Sequence, residues 1–229
     1  MVSLNCEDVR VVACDGFAHY CLLFCRSLSD RSDTSEHVDN VMTWMTDLAA
    51  QGDHEARLDF VKCSTALKAH LKFEKFARAA SLVNQMIDAY TSGQNKDMPD
   101  FKTLSLVIKG LCNNRVTGEA DALLRRMWKF NMAVNGFRST DCLVQQVMHS
   151  WQVSGQPGLA LSLFECMQRL YTSRVLKEGP SRDTYKVAIA SLAKSNDPDK
   201  ADRVRELQWQ MGKSYARKGT SHGYRGIRG

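Results

Sequence analysis

Lys68, Lys109 and His149 stand 41 and 40 residues apart, and Arg31, Lys72 and Lys194 share a second position of the same period. Cations that recur in this way can neutralise successive phosphates of a nucleic-acid backbone, a contact that releases counterions and weakens with salt. Lysines that merely solvate exposed helices would have the same spacing. No other group of residues has the spacing of a reactive centre. The eight cysteines include Cys6, Cys14, Cys21 and Cys25, at intervals of eight, seven and four. These intervals fit no common zinc pattern, and no C-x-x-C pair occurs. Cys63, Cys112, Cys142 and Cys166 complete the set, and no secretory signal precedes them. All eight are expected to be small buried thiols in a reducing compartment. The chain lacks H-E-x-x-H, G-x-S-x-G, a phosphate-binding glycine loop and the H-x-E with C-x-x-C of zinc deaminases. No catalysis, metal or cofactor is therefore expected, and His70 and His149 are expected to pack or to sit on helix surfaces.

The elements that must position the cations follow from four methionines. Met45, Met86, Met127 and Met167 are separated by 41, 41 and 40 residues. Seven residues before each stands Val38, Ala79, Ala120 or Ala160, and between them Val41, Leu82, Leu123 or Leu163. Spacings of three, four and seven place these residues on one helix face. A face recurring about every 40 residues predicts stacked helical units. With 44% hydrophobic residues and 4 prolines in 229 residues, and no alternating strand pattern, helix is expected throughout. No run of about 18 apolar residues is present, so no membrane span is expected.

Residues 101–140 serve as the reference unit. A first helix is expected over Lys102–Asn113, a turn over Arg115–Gly118 and a second helix over Glu119–Phe130. The period then starts units near His19, Phe60, Phe101, Asp141 and Arg182. In the first helices Leu67, Ile108, Met148 and Ile189 share an apolar column, followed two residues later by Ala69, Gly110, Ser150 and Ser191. Small side chains there let helices approach closely. Gly118, Gly155 with Pro157, and Asn196 with Pro198 are turn signals. Tyr90-Thr91-Ser92 recurs as Tyr171-Thr172-Ser173, and Pro99 and Pro180 mark the break before the next first helix. Met211 falls three residues late, which predicts a longer last turn.

Three regions are expected. Residues 19–211 form the repeat array, with residues 1–18 as a cap or the remnant of a preceding repeat. Residues 212–229 carry five basic residues and no acid and lack a helical period, so a disordered basic tail is expected, able to touch RNA phosphates or to act as a solubilising end. Glu7, Asp8 and Asp15 come early, unlike a transit peptide, so either no presequence is present or the chain starts inside a longer protein.

The string Thr103-Leu104-Ser105-Leu106-Val107-Ile108-Lys109-Gly110-Leu111-Cys112, followed by Glu119-Ala120, Leu123-Leu124 and Met127, resembles the pentatricopeptide repeat family. Ser154-Gly155, Leu159-Ala160-Leu161, Leu163-Phe164 and Met167 extend the resemblance, as do Asp183-Thr184-Tyr185 and Pro99-Asp100. The family's unit is about 35 residues, and the excess here falls after the second helix. The resemblance implies an all-α fold, a right-handed α-α superhelix (a solenoid) of about five antiparallel helix pairs. It also implies a groove lined by first helices that holds single-stranded RNA, one base per unit. The implied base-reading pairs are Ser64 with Asp100, Ser105 with Thr140, and Gln145 with Ser181. Leu23 with Asp59, and Lys186, fill the same positions in the outer units. Only Ser64 with Asp100 matches the family's guanine-reading combination. The implied phosphate contacts are Arg31, Lys68, Lys72, Lys109, His149 and Lys194, with the acids Glu119, Asp121 and Glu165 facing away.

The resemblance further implies a monomer acting without cofactors in organellar RNA processing, stability or translation, in a mitochondrion or plastid. Other RNA-processing or ribosomal proteins are possible partners. A protein-binding scaffold, such as tetratricopeptide-like arrays form, is the alternative. Trp128, Trp151 and Trp209 facing solvent together would favour it, because aromatic residues anchor protein interfaces.

Overall fold

The computed structural model describes residues 33–52, 60–94, 96–129 and 140–219. Among them are nine helices and no strand: α1 (Asp33–Ala50), α2 (Phe60–Lys72), α3 (Phe76–Thr91), α4 (Phe101–Asn113), α5 (Thr117–Lys129), α6 (Asp141–Val153), α7 (Pro157–Thr172), α8 (Arg182–Lys194) and α9 (Lys200–Gly219). The fold is an all-α helical repeat, and first helices start at the four expected residues, Phe60, Phe101, Asp141 and Arg182. The expected residues 1–18 and the first helix of repeat one lie outside the described residues.

Two compact parts make up the chain, residues 1–111 and 112–229, with the division inside α4. In the first part α1 packs on α2 and α2 on α3. In the second, α5 packs on α6, α6 on α7, and α8 on α6, α7 and α9, so within this part successive repeats rest on one another.

The methionine face is the core. Met45, Met86, Met127 and Met167 are buried, as are Val38, Ala79, Ala120 and Ala160 seven residues before them. Each such methionine removed from water contributes about 1.5–3 kcal/mol. The first-helix column is buried at Leu67, Ile108 and Met148, while Ile189 is partly exposed. Gly110 shows why its column is small. A Cβ there would lie 1.9 Å from the Phe76 ring, which rests directly on the α4 backbone. One repeat later the same positions are Ser150 and Thr117, whose hydroxyls meet at 2.6 Å.

The turns inside the pairs are built alike. Glu74, Arg115 and Gly155 are left-handed, at φ +58°, +62° and +71°. Lys75 N donates to His70 O and Gln156 N to Trp151 O, at 2.9 Å each, closing the six-to-one ring of a Schellman ending. The sequence placed Gly118 in this turn, but Gly118 lies in the first turn of α5 and Arg115 carries the left-handed bend. Gly93 and Arg174 end α3 and α7 in the same conformation, 81 residues apart, which accounts for the Tyr-Thr-Ser repeat before them.

The last turn is longer, as the late Met211 predicted. Three residues separate α2 from α3, α4 from α5 and α6 from α7, whereas residues 195–199 separate α8 from α9. Asp197 Oδ1 accepts from Asp199 N at 2.9 Å, and Asp197 also pairs with Arg203. The helix then continues to Gly219, so residues 212–219 of the segment expected to be disordered are helical. Lys213, Ala216, Arg217 and Lys218 are all good helix formers, which suits the extension of α9.

Candidate nucleic-acid interface

In the first part of the chain, two first helices present the same pair of residues. Ser64 and Lys68 lie one turn apart on α2, and Ser105 and Lys109 one turn apart on α4. Both lysines are exposed and both serines half-buried. The Ser105 hydroxyl oxygen is itself buried and has no hydrogen-bond partner among the described residues. Asp100 is exposed just before α4, and its Oδ1 accepts from Thr103 N at 2.8 Å. Hydrogen bonds from the Thr103 hydroxyl and amide, then the charges of Lys102 and Lys68, hold the Asp100 carboxyl below the usual carboxylate range. Asp100 is thus an ionised helix cap.

The second part differs. Gln145 Nε2 lies 2.8 Å from Asp141 Oδ2, 3.0 Å from Ser181 Oγ and 3.0 Å from Thr184 Oγ1, donating its two hydrogens among three acceptors. Asp141 Oδ1 accepts from Ser181 N at 3.1 Å and from the Thr184 hydroxyl. Ser181 caps α8, its Oγ accepting from Thr184 N at 3.3 Å. Asp141 and Thr184 are buried. Gln145 and Ser181, paired by sequence for base reading, are therefore bonded to each other and to the packing between α6 and α8. Asp141 was read only as the start of a unit and Thr184 only as part of the Asp-Thr-Tyr string, so neither was expected to bond Gln145. An acid opening α6 and a threonine at the third position of α8 are the only signals, and either would pass for an ordinary helix start.

The cations follow their expected exposure unevenly. Lys68, Lys72, Lys109, His149 and Lys194 are exposed. In the column of Lys72 and Lys194 the intervening residues are Asn113 and Val153, the latter 75% exposed, so the charge lapses there. Lys186 donates to Asp183 Oδ1 at 3.0 Å. Thr140 is buried beside α6. Arg31, Leu23 and Asp59 lie outside the described residues.

Other polar residues serve packing. His70 is buried with Nε2 3.2 Å from Asp39 Oδ1, and Arg78 pairs with the other Asp39 oxygen. Loss of solvation lowers the His70 pKa, even with that carboxylate adjacent. Of the acids expected to face away from the groove, Glu119 and Glu165 are exposed, but Asp121 is buried. Its carboxylate accepts from Arg125 Nε at 2.7 Å and from Trp151 Nε1 at 3.3 Å, because α5 turns this position toward α6. The expectation for the cysteines holds at Cys63 and Cys112. Cys142 is exposed and Cys166 intermediate, each falling on the outer side of its helix. Burial pushes the Cys112 thiol up to about 11, partly opposed by a hydrogen bond from Ser150. Trp128 is buried, Trp151 half-buried and Trp209 64% exposed, so the three form no common solvent-facing set. No group of three or more His, Cys, Asp or Glu residues is placed to hold a metal among the described residues, and no described helix is long and apolar enough to cross a membrane.

These helices can be set beside known proteins. Residues 102–132 match the family model of the PPR repeat, which spans α4, its left-handed turn and α5. Over these residues the chain matches one pentatricopeptide repeat. That repeat is the reference unit from which the other helix pairs follow by the 40- to 41-residue period. Among solved structures the chain is similar to the crystal structure of the pentatricopeptide repeat protein PPR10 from maize, at 16% identity and a TM-score of 0.41. The likeness covers 80% of this chain and 23% of that one, so the chain spans about a quarter of the maize protein's length. No curated protein matches the chain.

Proposed function

We propose that this pentatricopeptide array binds single-stranded RNA without catalysis, holding a transcript segment open, shielding it or recruiting another factor. The supporting observation is the recurrence, on α2 and α4, of a half-buried serine one turn before an exposed lysine, with the ionised Asp100 between those repeats. Serine and aspartate offer hydrogen bonds to a base edge, and the lysines offer contacts to the flanking phosphates. In repeat four the equivalent Gln145 and Ser181 are bonded within the fold. Base reading in this proposal is therefore confined to the repeats near Ser64, Asp100 and Ser105, with Thr140 buried and repeats four and five giving backbone contacts through His149 and Lys194.

The family resemblance supports an organellar site of action, in a mitochondrion or plastid, and action as a monomer with residues 19–211 as the array. The proposal is tested by Lys68→Glu combined with Lys109→Glu. RNA affinity should fall, and the slope of log affinity against log salt should shrink by about 1.4, the share of two phosphates of a single strand. Unchanged affinity and slope would remove the lysines from the interface.

A further inference from the structure

An open groove of about 1020 Å³ lies in the second part of the chain, between α7, the loop after it and α9. Three aromatic residues line it, Tyr171 at 48% exposure, Trp209 at 64% and the buried Tyr185 of α8. The Tyr171 ring lies against Gly179, where an added Cβ would be 2.9 Å from the ring, so the loop backbone holds that ring in place. The floor is an amide pair, with Gln168 Nε2 2.9 Å from Gln210 Oε1. Lys213 Nζ lies 4.6 Å above the centre of the Trp209 ring. Arg169 also lines the groove, and neither Arg169 nor Lys213 forms an ion pair among the described residues. The one lining carboxylate, Glu165, is bound by Arg203 at 2.7 Å. Aromatic faces exposed beside two uncompensated cations are what a nucleotide needs, a platform for the base and charge for its phosphate.

We propose that this groove is a nucleotide site for single-stranded RNA, in which a base stacks on Trp209 and the adjoining phosphates contact Lys213 and Arg169. Its cations Arg169 and Lys213 and its exposed rings Tyr171 and Trp209 belong to second helices, whereas Ser64 and Lys109 belong to first helices. The inference rests on the reading that the chain binds RNA, and it adds a contact outside the repeat code. An acidic or proline-rich peptide would meet the same rings, but it would lack a base to sandwich beside the cations.

The test uses the full chain with Lys68→Glu and Lys109→Glu already in place, so that the first-helix lysines do not contribute. A fluorescein-labelled five-nucleotide RNA is titrated by anisotropy, with adenosine 5′-monophosphate as competitor. Binding that Trp209→Ala weakens about ten-fold or more, that Trp209→Phe keeps, and that Lys213→Glu weakens further at low salt is the expected result. Circular dichroism of each variant checks that α9 persists, and Trp209→Phe covers the case in which alanine unfolds it. Binding indifferent to Trp209 and Lys213, or displaced by an acidic or proline-rich peptide and not by the nucleotide, overturns the groove. If the lysine-reversed chain retains Trp209-dependent binding while the native chain shows no Lys68 and Lys109 dependence, the groove stands and the first-helix reading fails.

Discussion

Gln145 Nε2 donates to Ser181 Oγ across 3.0 Å, joining the two residues of repeat four that sequence alone would point at a base. Their partners Asp141 and Thr184 are buried, so the amide stabilises the packing of α6 against α8. Gln145→Ala should leave Asp141 short of a donor in a buried place and cost about 1–3 kcal/mol. Base preference at that repeat should stay unchanged. Chemical denaturation and a selected-sequence assay on the same variant check both halves.

Gly110→Ala tests the close approach of helices in the first part of the chain. The new methyl would collide with the Phe76 ring, 1.9 Å away, and the ring carbons cannot yield without leaving the α4 surface. A loss of about 1–3 kcal/mol is expected in urea unfolding. Pairing it with Phe76→Leu should recover part of that loss.

Arg115 and Gly155 occupy the same left-handed turn position one repeat apart. Arg115→Gly removes a Cβ clash of about 1 kcal/mol and should stabilise by up to that amount, less the entropy glycine adds to the unfolded chain. Gly155→Ala should destabilise by a similar amount. Thermal melts of the two variants should move in opposite directions.

His70 supplies the pH dependence. Its pKa is lowered from 6.5 in the fold because burial disfavours the imidazolium. The unfolded chain then binds more protons below that value, so stability present above pH 6.5 is lost as the pH falls through it toward the folded pKa. Melting temperature should drop between neutral pH and pH 5.5 or so, and His70→Gln should flatten the drop. An equal drop in His70→Gln would assign it to other groups.

The helix starts and the buried methionine face were legible because a period near 40 residues imposes the same packing on each repeat, and apolar side chains report it directly. The turn before α5 was misread because glycine is the usual left-handed residue, yet Arg115 takes that conformation where the hydrogen-bonded ending demands it. Asp121 was expected to face away from the groove with the other second-helix acids, and its pairing with Arg125 and Trp151 depends on which face of α5 meets α6. Gln145 and Ser181 were placed correctly within their repeats. Their mutual bond depends on Asp141 and Thr184, 43 residues apart, which no local pattern connects.

The most direct measurement is binding of the purified chain to a random pool of single-stranded RNA across a salt series. The account predicts binding that falls steeply as salt rises, with enriched sequences sharing a base at the position facing Ser64 and Asp100, and with Ser64→Asn changing that position alone. Absence of binding even at low salt would contradict it.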